Sequence, residues 1–209
     1  MTARILADDA AGRGEASRLL GAGGVVALPM DTVYGLAVDL ATPGGIERLF
    51  EVKHRPADRA IVLLLAAADQ AREVAEWPST ADRLASRFWP GGLTLVLPRR
   101  PSDALPDALT AGRPTIGVRL PDHPCPRALA AALGPLPVTS ANLSGRPPAV
   151  DAQEVLRQLG DSIELVLDGG PSRSGLASTV VDCTGDEVRI LRVGAVPESD
   201  ILDSLRDPG

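Results

Sequence analysis

Four stretches of this 209-residue sequence set cations, hydroxyls and amides beside apolar runs. In Pro29-Met30-Asp31-Thr32-Val33-Tyr34-Gly35-Leu36, polar residues interrupt an apolar run; alone they read as a turn between two strands, with Thr32 and Tyr34 bonded locally. Lys53-His54-Arg55-Pro56, followed by Asp58 and Arg59, ends a helical pattern. Cations there complement a helix dipole, or Lys53 and Arg55 neutralise a polyphosphate as point charge and fork. His54 has no partner motif and reads as a solvated surface residue. In Thr115-Ile116-Gly117-Val118-Arg119-Leu120-Pro121, Arg119 closes an apolar strand, and a buried guanidinium must be paired either with an internal acid or with a substrate carboxylate. In Thr139-Ser140-Ala141-Asn142-Leu143-Ser144-Gly145, an extended chain would aim Ser140 and Asn142 to one side. Helix capping explains either residue alone and strains to explain both.

A further loop, Gly169 to Thr179, offers glycines and hydroxyls of the kind that cradle phosphate, without the Gly-Lys-Ser/Thr ending of a Walker loop. Arg192 adds one cation near a strand end. No Ser-His-acid set, no His-rich metal motif and no paired carboxylates stand at suggestive spacing. Cations and hydroxyls hold anions in place; they are not a set for exchanging protons.

These groups need a scaffold, and the sequence describes an α/β one. Strand candidates run from Val25 to Leu28, Ile61 to Leu65, Leu93 to Leu97, Thr115 to Arg119, Leu136 to Thr139, Ile163 to Leu167, Thr179 to Cys183 and Val188 to Leu191. Helices are predicted over about 44–53, burying Ile46, Leu49 and Phe50, and over 79–88, before the Trp89-Pro90-Gly91-Gly92 turn. A third is opened by Asp151 and Glu154 and stopped by Gly160. His123 should begin a helix, and one helical turn is expected around Asp103 to Leu109 within the Pro-rich excursion. Late strands follow one another closely, so the expectation is a twisted mixed sheet flanked by helices, with ligands at strand ends in a concave cleft.

Composition narrows the function classes. At 44% hydrophobic and 23% charged the chain is an ordinary globular one, of a length that fits one domain over 1–209. Aromatics are only 2% and the net charge is −6, which disfavours a stacking platform for single strands and leaves room for only weak or transient RNA contact. Cys125 and Cys183 lack metal or disulfide spacing and read as small core residues. The N-terminus has no signal-peptide layout and no apolar run spans a membrane, so a cytoplasmic protein is expected.

In this order and at these separations the clusters resemble the YrdC-type threonylcarbamoyl-adenylate synthases. The matching motifs are Pro29 to Leu36, Lys53 to Pro56, Trp89 to Thr94, Gly117 to Pro121, Ser140 to Asn142 and Ser178-Thr179; they lie between Gly23 and Arg192, within a core resemblance over about 10–195. The resemblance implies that L-threonine and bicarbonate form a carbamate that attacks the α-phosphate of ATP and expels pyrophosphate, for modifying the adenosine next to certain tRNA anticodons. It implies Lys53 and Arg55 at the phosphates and carbamate as the catalytic pair, and Thr115, Ser140, Asn142 and Arg192 at ATP. Arg119 and Ser178 would hold the threonine carboxylate, with Thr32 and Tyr34 near the amino acid. Mg2+ would arrive with the nucleotide, with no protein metal ligands and Asp31 as an outer-sphere partner. Residues 53–60 would form a lid, and the product would pass to a separate tRNA transferase. Two departures stand out: the family commonly has Thr at Met30, and many members have His at Leu64. They suggest weaker separation of threonine from serine. The chain resembles the short form of the family. Two rival readings are a non-catalytic RNA-binding module of the same fold, using cations around Arg55, Arg59, Arg99 and Arg100, and a carbamoyl-adenylate-forming domain of the hydrogenase-maturation type.

Overall fold

The computed structural model describes residues 2–54, 59–101 and 105–206. In chain order the elements are β1 (Arg4–Ala7), α1 (Ala10–Gly21), β2 (Val26–Leu28), β3 (Gly35–Ala37), α2 (Gly45–Lys53), β4 (Val62–Leu64), a 3-10 turn (Ala68–Gln70) leading into α3 (Ala71–Val74), α4 (Ser79–Phe88), β5 (Leu93–Pro98), α5 (Asp107–Thr110), β6 (Thr115–Arg119), α6 (Pro124–Leu133), β7 (Leu136–Ser140), α7 (Ala152–Leu159), β8 (Leu165–Asp168), β9 (Thr179–Asp182), β10 (Arg189–Arg192) and α8 (Glu198–Arg206). All ten strands join one sheet in the order β1-β8-β2-β3-β7-β4-β6-β5-β9-β10. Four neighbouring pairs are parallel and five antiparallel, so the sheet is mixed, as the closely spaced late strands predict.

Two apolar clusters, one per face, follow from period-2 alternation. Leu63, Leu65, Leu95, Leu97, Ile116 and Val118 enter the larger cluster, packed under helices that include α2, α4 and α7. Asp151 caps α7 by accepting from the Glu154 N–H at 2.7 Å, and Val155 and Leu159 are buried. On the opposite face, α1 and α6 pack on β8, β2 and β7 through Ala16, Leu20, Leu129, Ala130, Leu136 and Leu165. His123 caps α6 through Nδ1, which accepts from the Cys125 N–H at 3.2 Å. That helical layer reaches β4 through α6 and stops short of β6, β5 and β9. The sheet face left over there is the floor of a cavity.

The sequence pattern misses β1, β3, α1, α3 with its leading 3-10 turn, and α8. β1 and β3 are four and three residues long, below the length at which alternation shows. α1 carries little apolar periodicity, with Gly12, Ala16 and Leu20 as its buried residues. Gly12 is required where it stands: a Cβ there would lie 2.1 Å from the Ala7 carbonyl oxygen. The expected turn near residues 103–109 forms as α5 over Asp107–Thr110, while residues 102–104 lie outside the described residues.

A cation-lined cavity on the sheet face

The cavity encloses about 780 Å³. One row of cross-strand partners crosses its floor: Asp182 beside Val96, Val96 beside Gly117, Gly117 beside Val62, and Val62 beside Val138. Alternation on β6 turns Ile116 and Val118 to the core and leaves Thr115, Gly117 and Arg119 facing the cavity. Thr115 and Arg119 are four residues apart, about 13 Å along an extended strand, so β6 separates two polar ends.

Arg119 dominates the first end. It is 3% exposed, and its guanidinium donates from Nε to the Gly91 carbonyl at 2.9 Å, from Nη1 to Thr32 Oγ1 at 2.8 Å and from Nη2 to Asp31 Oδ1 at 2.5 Å. The Trp89-Pro90-Gly91-Gly92 turn, with a cis Trp89–Pro90 peptide, supplies that carbonyl and is held in turn by the Gly91 N–H bonded to Leu120 O. Burial lowers the pKa of Arg119, the Asp31 charge opposes that, and the charge of nearby Arg192 adds to the lowering. Arg192 donates to the Ser178 carbonyl at 2.8 Å and to Ser178 Oγ at 3.1 Å, and Ser178 Oγ shares a hydrogen bond with Thr94 Oγ1 at 2.8 Å. Two guanidiniums thus stand close enough to repel, with Asp31 bonded to only one of them. Three of the five N–H groups of Arg119 are engaged, which leaves two for a further acceptor.

Thr115, Ser140 and Lys53 mark the second end. Lys53, on the last turn of α2, is 3% exposed, and its ammonium donates to the Ser140 carbonyl, to Asn142 O at 2.6 Å and to Asn142 Oδ1 at 3.3 Å. The Asn142 amide nitrogen donates to Leu143 O at 2.9 Å and to Arg146 O at 2.7 Å. Lys53 and Asn142 therefore fix the turn after β7 and with it the cavity-facing Ser140. The described lining residues include six cations, Lys53, Arg59, Arg113, Arg119, Arg189 and Arg192, against one carboxylate, Asp182. Asp182 is engaged by Thr184 Oγ1 at 2.6 Å and Arg189 at 2.6 Å. In a chain of net charge −6, such a concentration of positive charge calls for an anion.

The Sua5/YciO/YrdC family model, described as telomere recombination, matches residues 18–194. The chain belongs to that family. The threonylcarbamoyl-AMP synthase of Bacillus subtilis is 39% identical over 189 residues, 90% of this chain and 54% of that relative. The putative threonylcarbamoyl-AMP synthase of Mycobacterium tuberculosis is 38% identical over 185 residues, 88% of this chain and 84% of that relative. The crystal structure of Pyrococcus abyssi Sua5 complexed with L-threonine superposes with a TM-score of 0.90 at 35% identity, covering 98% of this chain and 60% of that one. The chain spans about half the length of the Bacillus subtilis relative.

In this Sua5/YciO/YrdC chain, Thr32, Lys53, Thr115, Arg119, Ser140, Asn142, Ser178 and Arg192 all reach one cavity. Arg55, and the 55–58 part of the lid expected over 53–60, lie outside the described residues. Tyr34 does not reach the cavity: it is fully buried, donates to Gly170 O at 2.8 Å and accepts from the Gly169 N–H at 3.2 Å. Burial pushes its phenol up to about 12. Asp31 faces a neighbouring smaller pocket and is committed to Arg119, a poor arrangement for an outer-sphere role at a metal. In the Gly169 to Thr179 loop, read from sequence as a weak phosphate cradle, the N–H groups of Gly169, Ser172 and Ser174 bond inward, to Tyr34 Oη, Val150 O and Asp31 O. Only Ala177 and Ser178 before Thr179 line the cavity.

Other expectations meet simple packing. His54 is exposed, and Cys125 and Cys183 are buried, with burial pushing the Cys183 thiol up to about 11. Arg99 and Arg100 are tied to Asp107, Leu105 O and Ala75 O. Thr94, Gly117 and Arg113 also line the cavity; the first two stand in the Trp89 to Thr94 and Gly117 to Pro121 motifs but were given no role there, and Arg113 lies outside every motif. Period-2 alternation through Thr115 and Arg119 identifies Gly117, and the position of Thr94 at the end of the Trp-Pro-Gly motif singles it out.

Proposed function

We propose that this chain is an L-threonylcarbamoyladenylate synthase. The carrying observation is the pairing of an incompletely satisfied, buried guanidinium at one end of a cavity with hydroxyls and cations at the other. An amino-acid carboxylate suits the two remaining N–H groups of Arg119, beside Ser178 and Arg192. A triphosphate suits the Thr115 and Ser140 end, with Arg59 and Arg113 among the cations. The name of the Bacillus subtilis relative and the L-threonine of the Pyrococcus abyssi complex support the activity and the amino acid.

In the reaction, the amine of L-threonine combines with bicarbonate to give a carbamate and water. A carbamate oxygen then bonds to the α-phosphorus of ATP while the bond to pyrophosphate breaks, leaving threonylcarbamoyl-AMP. Little proton transfer falls to the protein, and positioning and charge stabilisation carry the catalysis. Arg119 holds the amino acid in register, Lys53 fixes the Ser140 turn and contributes positive charge, and Arg55 is assigned to the phosphates. Mg2+ fits only as a companion of the nucleotide, because Asp182, the one carboxylate among the described lining residues, is already bonded to Thr184 and Arg189. It would neutralise phosphate charge. Among the described residues no helix is long and apolar enough to cross a membrane. In this reading the enzyme works in the cytoplasm and hands its adenylate to a separate tRNA transferase.

Pyrophosphate release should require ATP, L-threonine and bicarbonate together. Release that is indifferent to threonine would contradict this reading, and a salt-sensitive RNA shift without ATP turnover would favour a binding module instead.

A further inference from the structure

The proposed amino-acid end has two unlike walls. On the β5 side of Arg119 stand Thr94, Ser178 and Arg192, linked by hydrogen bonds. On its other side Leu64 is the direct cross-strand partner of Arg119, about 4.8 Å away across the ladder. Beyond Leu64 the floor continues through Val62 and Val138, which are partners of each other. The thioether of Met30 lies over Gly35 and Val138: a Cβ added at Gly35 would meet Val138 Cγ1 at 2.7 Å and Met30 Cε at 2.9 Å. All four of these apolar residues line the cavity. None of their side chains carries a hydrogen-bonding donor, and the backbone of β4 is paired on both sides, to β6 and to β7.

A carboxylate drawn to the polar wall leaves an α-substituent facing the apolar one. We propose that the substrate side chain is read there by methyl packing alone, so that the chain accepts L-valine, the isostere in which methyl replaces the threonine hydroxyl, alongside L-threonine. The inference rests on the synthase reading. It also revises the expectation drawn from Met30 and Leu64: the discrimination that weakens is threonine against valine, because serine keeps the hydroxyl and loses the methyl that an apolar wall detects. The scale of the effect distinguishes the two designs. A site that bonds a substrate hydroxyl rejects its hydroxyl-free analogue by about 10⁴–10⁵-fold, whereas an apolar pocket separates such isosteres by only about 100-fold. Loss of one methyl from an apolar pocket costs about 10–200-fold.

The test measures kcat/KM for pyrophosphate release from ATP and bicarbonate with L-threonine, L-valine and L-serine, with the adenylates identified by mass. The expected product with valine is valylcarbamoyl-AMP, formed with pyrophosphate and water in the same balance. Valine within about 100-fold of threonine, and serine at least about 10-fold below threonine, is the expected result. Threonine turnover with valine more than 100-fold worse overturns the inference and leaves the synthase reading standing. No adenylate from any amino acid overturns both. Met30→Gln, which keeps the length of the side chain and adds an amide, should raise the threonine-to-valine ratio at least about 10-fold. An unchanged ratio would show that Met30 does not border the side-chain subsite and would overturn the assignment.

Discussion

Arg119 carries more of the account than any other residue, because its single guanidinium serves both packing and recognition. Sequence reasoning left its partner open between an internal acid and a substrate carboxylate, and the geometry accommodates both: Asp31 takes one N–H of Nη2, and two N–H groups remain. Arg119→Lys keeps a cation beside Asp31 and removes the fork. With steady-state kinetics read as free energies, KM for threonine should rise at least about 10-fold while KM for ATP moves less than about threefold. Equal damage to both would contradict the assignment of this end to the amino acid. Tyr34 illustrates the opposite outcome. Its place in the Pro29 to Leu36 motif suggested a ligand group, yet its hydroxyl holds Gly169 and Gly170, and hydrogen bonding between loops far apart in sequence is invisible to local pattern.

Among the elements, β6 sets the site. Gly117 sits midway between its two polar ends, and a Cβ there would meet Val62 Cγ2 at 3.6 Å and Thr94 Cγ2 at 3.7 Å, ordinary contact distances. Gly117→Val should therefore fold, with a melting temperature within about 5 °C of the parent, and fill the cavity floor. Its stabilisation by ATP in thermal unfolding should disappear; retained stabilisation would show that nucleotide does not cross this floor. The Ser178-Thr179 pair divides its labour. Ser178 faces the cavity, while Thr179 Oγ1 donates to Val196 O at 2.5 Å and accepts from the Gly194 and Val196 N–H groups at 2.9 and 3.0 Å. Thr179→Val leaves those buried N–H groups unsatisfied and should cost about 1–3 kcal/mol in denaturant unfolding. A change below 0.5 kcal/mol would refute that structural role.

Elements that bury long alternating or helical runs were legible from the sequence pattern, as α4 over Ser79–Phe88 and β6 over Thr115–Arg119 demonstrate. β3 and α1 were not, since three residues cannot display a period and a helix that packs through Gly12 and Ala16 shows no apolar stripe. The site was legible as a set of residue types; that Lys53 points at the carbonyls of Ser140 and Asn142 depends on the crossing of α2 and β7, a tertiary fact.

At the scale of the whole molecule, net charge and local charge oppose each other. An acidic chain whose described residues gather six cations in one cavity, beside one carboxylate, concentrates field where a polyanion binds and repels polyanions elsewhere. This distribution suits a small nucleotide better than a nucleic-acid backbone. Away from the cavity, Asp8 meets the Arg13 fork at 2.6 and 3.0 Å, and Asp182 meets Arg189. Burial works to raise both carboxyl pKa values, but the hydrogen bonds and neighbouring cations prevail and hold both below the usual carboxylate range. Groups with depressed folded-state pKa values stabilise the fold above the unfolded-state value, near 4, and lose that contribution as pH falls through the folded one. Melting temperature should fall below pH 4, and Asp8→Asn should flatten that acid limb; an identical limb in the variant would show that the pair contributes nothing.

The most direct test of the central claim uses isotopically labelled bicarbonate with ATP, Mg2+ and L-threonine, followed by mass detection of the adenylate. The account predicts threonylcarbamoyl-AMP carrying the label in its carbamoyl carbon, formed one for one with pyrophosphate. An adenylate without the label, or pyrophosphate released with no adenylate at all, would contradict it.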